Sequence, residues 1–405
     1  MKNVIGTIIA LLVPFVLLLL FEIALGISGN PKDETIRCSH PANFKEHRTN
    51  IEFEYQFETN TQGLRYKDIP LKRAKNEARI LMLGDSFTEG YGVEAEETFG
   101  SRLEQHFDER NGHPVEFVNG GLSGAGPLQY WRLFSVVGLR YQIDGLLICL
   151  SANDVTDTPL SLSPGDLYEF YPRRSGVKKV LYSLYPRTHT LIKRIKTKNA
   201  SEKAASRPKF LPAVISEARR AGLSEDRIEA WKNKLPAKLV SAANEGKFNG
   251  RILSFGLLNP HVWMEALDID TERSERKFRS LIYVMEEITK KAAKEGIEVA
   301  VVYIPFVLQY DATYYEPDNP LIQSGTEVRS GWLTERVEFQ KRLNEWADSH
   351  ELPFLDLTPA FREAIVANDL LNYRLDGHWT PSGHRVAAQA IYKWIERERC
   401  FSFIE

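Results

Sequence analysis

Cysteine is scarce in this 405-residue chain: Cys38, Cys149 and Cys400 lie far apart and are odd in number. No C-x-x-C pair exists, which excludes a zinc ribbon and a dithiol redox motif. Cys149 lies in the apolar run GLLICLS and reads as a small buried hydrophobe. Cys38 and Cys400 could bridge in an oxidising compartment. An excess of either charge is also lacking: 52 Lys+Arg stand against 54 Asp+Glu, a formal net charge of −2. That removes the general electrostatic case for a nucleic-acid partner. The chain has no Gly-rich phosphate loop and no His, Cys or carboxylate cluster with metal-ligand spacing, so no cofactor and no metal are expected. Internal repeats and long low-complexity tracts are absent too. With 43% hydrophobic and 26% charged residues, the composition excludes collagen-like, disulfide-framework and wholly disordered classes. The length fits two or three small domains, or one α/β domain with a large insertion.

One long hydrophobic run is present. Val4 to Phe21 (VIGTIIALLVPFVLLLLF) carries no charge, and Ile23–Ile27 extends it past Glu22. About 18 residues is the lower limit for a membrane-spanning helix. Pro14 is tolerated in such a helix, and Lys2 gives weak positive-inside character. Residues 1–27 are therefore expected to be a transmembrane anchor. The rival is a signal peptide cleaved near Ala24-Leu25-Gly26, although the run exceeds the usual ~7–15-residue signal core. Both readings predict a domain outside the cytoplasm, periplasmic or extracellular. The anchor reading makes it single-pass.

Residues 28–75 form a polar lead-in with scattered aromatics. From residue 76 onward a rhythm appears. Ala78–Leu83, Pro114–Asn119, Ile143–Leu150, Ile297–Pro305 and Pro353–Leu357 read as buried strands. Helical spacing covers 98–109, a stretch from Pro127, 275–294, 336–349 and 383–397. In the second of these, Trp131, Phe134 and Val137 share one face. Strands alternating with helices predict an α/β fold with a central parallel sheet covered on both faces. Functional residues of such sheets gather beyond the carboxyl ends of the strands.

Between about 156 and 270 the rhythm breaks, marking an insertion. From Arg173 to Lys209 it holds twelve Lys/Arg and one acidic residue, Glu202. Such a stretch is either a solvated irregular segment or a basic face for anionic lipid headgroups or an anionic glycan.

The polar motifs sit at strand ends. Gly84-Asp85-Ser86 occupies a strand-to-helix turn, where the serine is exposed and amide donors are free. A serine hydroxyl needs a base within reach and an orienter for that base. Asp376-Gly377-His378 offers such a pair just before the last helix. Tetrahedral chemistry also needs oxyanion donors, and Gly124 and Asn153 follow the second and third strands. Each has a bland alternative. GDS can be a helix cap, Asn153-Asp154 a turn, and Gly124 a turn glycine with Gly120 or Gly121 in its place. His384 competes with His378 but more simply helps start the last helix. Asp85 could ion-pair beside the site, and Asp356 could support it from a strand end.

In these blocks the sequence resembles the SGNH/GDSL hydrolase family: Gly84-Asp85-Ser86, Gly124, Asn153-Asp154 and Asp376/His378 follow in order. The resemblance covers roughly 76–155 and 295–400. It implies a three-layer α/β/α sandwich with Ser86 as nucleophile, His378 as general base and Asp376 orienting it. The Ser86 amide, Gly124 amide and Asn153 side chain would form the oxyanion hole. Two features depart from the family pattern. Ser151 replaces the usual glycine before Asn153-Asp154. The last block is D-x-H rather than D-x-x-H, a spacing similar to the alginate O-acetyltransferase-like branch, which places its serine after the Asp–His pair.

The expected function is a membrane-anchored serine esterase or O-acyltransferase acting on cell-envelope or exported polysaccharide, with an acylated glycan or small ester as substrate. Hydrolysis and transfer use the same residues. The alternatives are an inactive glycan-binding or assembly factor with polysaccharide-assembly partners, and a lipase-like carboxylesterase.

Overall fold

Period-2 patterning fails in the central strands because both of their faces are covered, and continuous apolar runs result. In the computed structural model, β3 (Ala78–Gly84), β4 (Val115–Gly121), β5 (Gly145–Ser151), β6 (Glu298–Ile304) and β7 (Phe354–Asp356) form one sheet in the order β4-β3-β5-β6-β7. All four pairings are parallel. Every residue of β5 is buried, as are Ile80–Leu83 of β3 and Val299–Ile304 of β6. Each such aliphatic side chain contributes roughly 1.5–3 kcal/mol. The five strands match the five expected from sequence, with ends shifted by a few residues.

The order is doubly wound and reverses between β3 and β5, where a crevice opens at the carboxyl ends. Right-handed crossovers put the helix after β3 on one face and those after β4, β5 and β6 on the other. Accordingly, Phe99–Asn111 packs with the last helix, Pro381–Glu398, while Pro127–Val136 packs with Glu272–Glu295. Trp131, Phe134 and Val137 are buried together, as their spacing predicts.

The structure describes residues 2–27, 39–111, 114–167, 184–185, 187–188, 191–192, 209–367 and 370–404. Cys38, and with it any pairing to Cys400, falls outside them, as does most of the basic stretch 173–209. The chain separates into two compact units. The larger holds residues 37–168 and 209–405 and so takes in much of the lead-in. There, β1 (Lys45–Thr49) and β2 (Glu54–Glu58) form an antiparallel hairpin. The insertion's later part is also in this unit, as short helices from Phe210 to Leu267. Val214, Ala218, Ile228, Trp231 and Leu257 make one core there. Leu239, Ala242, Phe248 and Leu253 make a second.

The smaller unit comprises residues 1–36 and 169–208. Its main element is the helix Lys2–Ile27, with Pro14 inside it. Glu22 is buried, and its carboxylate accepts hydrogen bonds from the Arg187 amide and from the Thr188 amide and hydroxyl, all at 2.8 Å. Around it, Phe15, Leu17, Leu20, Phe21 and Ile23 are exposed. Among the described residues no helix is long and apolar enough to cross a membrane. Within Lys2–Ile27, side chains are described from Val13 onward.

Candidate active site

Ser86 opens a single helical turn, Ser86–Glu89, directly after β3. Asp85 caps that turn through the Phe87 amide, and Gly90 ends it at φ +83°. The turn is pressed against the end of β4. A Cβ on Gly121 would lie 2.1 Å from the Glu89 nitrogen, so glycine is required for this close approach. The Ser86 hydroxyl is thereby lifted above the sheet at the β3/β5 reversal.

His378 comes from the loop before the last helix. Its Nε2 lies 2.8 Å from Ser86 Oγ, and its Nδ1 contacts Asp376 Oδ1. With Nδ1–H donating to the carboxylate, Nε2 is left free to accept the serine proton. Burial alone would lower the basicity of His378. The Asp376 carboxylate, aided by Asp85 and Glu89, outweighs this and holds the imidazole above its ordinary value. Phe87 and Tyr91 pack on the ring, with centroids 5.1 and 4.7 Å away.

The expected oxyanion residues converge here too. Ser86, Gly124, Asn153, Asp376 and His378 line one cavity. Gly124 sits at φ +71° with open space where a side chain would go, so backbone conformation rather than crowding selects glycine. Asn153 is the second residue of the helix Ala152–Asp157 after β5. Its Nδ2 donates to Asp85 Oδ2 at 2.8 Å. The hydroxyl of Ser151, the residue that replaces the usual glycine, reaches the same oxygen at 2.8 Å. Asp85 is thus an acceptor of three hydrogen bonds rather than an ion-pair partner. Next to Gly124, Ser123 donates its amide to Glu89 at 3.1 Å and its hydroxyl to the other Glu89 oxygen. Glu89 is fully buried. Burial works to raise its carboxyl, but a 2.6 Å bond from His40 and the bonds from Ser123 hold it below the usual range.

The cavity measures about 290 Å³. One wall is apolar and comes largely from the insertion: Ile252, Phe255, Val262 and Trp263, with Phe306 and Leu321. Trp263 stacks on Phe306 with centroids 3.8 Å apart, and Phe255 meets Trp263 edge-on. Asn249, Arg251 and Asp157 add polar groups.

Three other sequence candidates lie elsewhere. His384 is buried within the last helix, where its Nδ1 accepts from the Phe99 amide at 3.2 Å. Burial, with Arg65 and Arg102 nearby, pushes it down to about 3, so it stays neutral. Asp356 does not line the cavity but accepts from the Thr358 amide at 2.9 Å, just before the next helix. Cys149 is a buried thiol that burial pushes up to about 12.

Residues 82–249 match the GDSL-like lipase/acylhydrolase family. The chain carries a GDSL-like acylhydrolase domain. This domain supports an ester-hydrolysing activity. No curated protein matches the sequence. Among solved structures, a G-D-S-L family lipolytic protein from Desulfitobacterium hafniense is 11% identical, with TM-score 0.36, over 78% of this chain and 99% of its own. An acylhydrolase from Bacteroides fragilis is 13% identical, TM-score 0.34, over 81% and 90%. An acetylxylan esterase from Geobacillus stearothermophilus, solved as a catalytic mutant, is 11% identical, TM-score 0.36, over 78% and 94%.

Sequence reasoning missed Asn50 and Glu52, which reach the Asp376 loop, and Glu89, which holds Ser123. The first pair carries no local signal, since Asn50 and Asp376 are 326 positions apart. Glu89 lies three residues beyond the nucleophile, and its place on a turn facing β4 could have drawn notice.

Proposed function

We propose that the protein is a serine esterase or O-acyltransferase working through a Ser86–His378–Asp376 triad and an acyl-enzyme. The observation that carries this is the continuous contact from Ser86 Oγ through the His378 ring to the Asp376 carboxylate. Ser86 Oγ attacks the ester carbonyl carbon while His378 Nε2 takes the hydroxyl proton. Asp376 stabilises the imidazolium so formed. Negative charge on the former carbonyl oxygen is met by the Ser86 and Gly124 amides and by the Asn153 side chain. Collapse breaks the bond to the alcohol, which leaves with the proton from His378. Water, or a sugar hydroxyl, then repeats the sequence in reverse and frees Ser86.

The substrate we infer is an acylated glycan of the cell envelope or of an exported polysaccharide. The cavity pairs an aromatic wall with Asn153, Asn249, Asp157 and Arg251, a mixture suited to an ester flanked by a hydroxylated ring. The D-x-H spacing favours transfer as well as hydrolysis. The uncharged run Val4–Phe21 supports anchoring of residues 1–27 in a membrane, single-pass, with the enzyme on the extracytoplasmic side.

The test is a fluorophosphonate probe and a small acetyl ester, applied to the full chain in detergent beside Ser86→Ala and His378→Ala. Labelling and turnover in the parent that vanish in Ser86→Ala are expected, with losses on the order of 10⁴-fold or more. A folded parent that neither labels nor turns over ester would favour an inactive binding or assembly role instead.

A further inference from the structure

The D-x-H loop leaves a single residue, Gly377, between Asp376 and the histidine it orients, and its geometry is completed from the other end of the unit. Four residues, Asn50–Phe53, connect β1 to β2, and the Asn50 amide closes the turn on the Phe53 carbonyl at 2.7 Å. Asn50 Nδ2 donates to Asp376 Oδ2 at 3.1 Å, while Asp376 Oδ1 faces His378. Both carboxylate oxygens are therefore engaged, and the group cannot rotate without breaking one contact. Glu52 takes the backbone: its carboxylate accepts from the Leu375 amide at 3.0 Å and from the Asp376 amide at 2.8 Å. Phe53 is wedged against Tyr373 and Tyr91, with centroids 4.5 and 5.5 Å away. The Ile51 amide ties the same tip to the insertion through the Lys247 carbonyl at 2.9 Å.

The hairpin's flanks reach the second half of the site. His40 and Arg48 approach the buried Glu89 at 2.6 and 3.6 Å, and Glu89 in turn holds Ser123 beside Gly124. One small element thus touches the supports of both the triad and the oxyanion loop.

We propose that the β1–β2 hairpin braces the active site, with Asn50 a positioning residue for the Asp376 carboxylate and Glu52 one for its backbone. This rests on the triad reading above. Losing the Asn50 contact frees Asp376 to turn from His378, which weakens both orientation and basicity of the imidazole. The charged groups acting on that ring are Asp376, Asp85 and Glu89, and Asn50 contacts the one that touches it.

The test measures kcat, KM and the acid limb of the pH profile in Asn50→Ala, in the near-isosteric Asn50→Leu, and in Glu52→Gln and Glu52→Ala. The His378 titration is followed by NMR in each. Misplacement of this kind costs on the order of 10²-fold in kcat. We expect that loss in both Asn50 variants with KM nearly unchanged, and an acid limb and NMR midpoint displaced to lower pH. Glu52→Gln, which keeps an acceptor for the Asp376 amide, should lose less than Glu52→Ala. Thermal midpoints identify a variant that is merely unfolded, and Asn50→Leu carries the test if Asn50→Ala is. A folded Asn50 variant with parental kcat and a parental His378 midpoint overturns the brace. A parent whose turnover survives Ser86→Ala overturns the triad reading instead, and the NMR midpoint still decides whether Asn50 acts on His378.

Discussion

Asn153 Nδ2 donates to the carboxylate of Asp85 at 2.8 Å, so the residue before the nucleophile aims a donor of the proposed oxyanion hole. An amide carries two N–H groups; one is spent on Asp85, which fixes the plane of the other. Asp85 is itself immobile, being fully buried and held by the Phe87 amide at 2.9 Å. In Asp85→Asn the three donors now converging on a carboxylate would meet one carbonyl oxygen and an NH2 group. Loss of an oxyanion donor costs about 10²–10³-fold in kcat. Asp85→Asn should fall in or near that range with KM for a small acetyl ester little changed. Steady-state kinetics check this, and an equal rise in KM would mean that Asp85 serves substrate binding instead.

The elevated basicity of His378 fixes the sign of the pH response. Only the neutral imidazole can accept the Ser86 proton, so activity is lost as pH falls through the His378 value. Because Asp376 holds that value above the ordinary histidine range, the acid limb of kcat/KM should lie above about 6.5. Asp376→Asn removes the opposing charge and leaves the burial. Its acid limb should move to lower pH, while kcat falls on the order of 10⁴-fold. A limb that stays in place would separate the pH dependence from this pair.

Much of this was legible in the sequence, for local reasons. The strands of the large sheet are buried on both faces and read as apolar runs, and the chemistry sits at their ends, as parallel sheets require. Ser86, Gly124 and Asn153 each belong to a short motif at such an end, Asp376 and His378 to one in the loop before the last helix, and the structure brings all five to one cavity. The hairpin was not legible, because β1 (KEHRT) is wholly polar, only β2 (EYQFE) alternates polar and aromatic residues, and no distinctive turn joins them. Nothing near Asn50 or Glu52 in the chain indicates a partner beyond residue 370. The insertion's part in the cavity was hidden likewise. Phe255 and Trp263 carry no motif, and their meaning comes from meeting Phe306.

That aromatic wall should discriminate among substrates. Trp263 and Phe306 are stacked at 3.8 Å, and aromatic pairs contribute about 0.5–1.5 kcal/mol beyond area burial. Trp263→Ala should raise KM for bulky aryl or glycosyl esters up to roughly tenfold, while leaving kcat for a small acetyl ester within a few-fold. Comparing the two substrates in one variant checks it, and an equal loss on both would mark Trp263 as structural.

A half-buried carboxyl remote from the site gives the last expectation. Glu104 accepts from the Phe117 amide at 2.9 Å and lies beside the Tyr66 hydroxyl, with Lys67 at 3.2 Å. Burial, reinforced by Glu116 and opposed by Tyr66 and Lys67, pushes its carboxyl up to about 7. In the unfolded chain it titrates near 4.3. The folded protein therefore binds this proton more tightly. The resulting stability is fully present below about pH 4.3 and is lost as pH rises through about 7. Glu104→Gln keeps an acceptor for the Phe117 amide and abolishes the titration. Thermal midpoints at about pH 5.5 and about pH 8 should differ less in Glu104→Gln than in the parent, with the variant gaining most at the higher pH. Equal differences in the two proteins would mean that Glu104 ionises freely in the folded state, and its contacts with Tyr66 and Lys67 would then be those of an ordinary surface carboxylate.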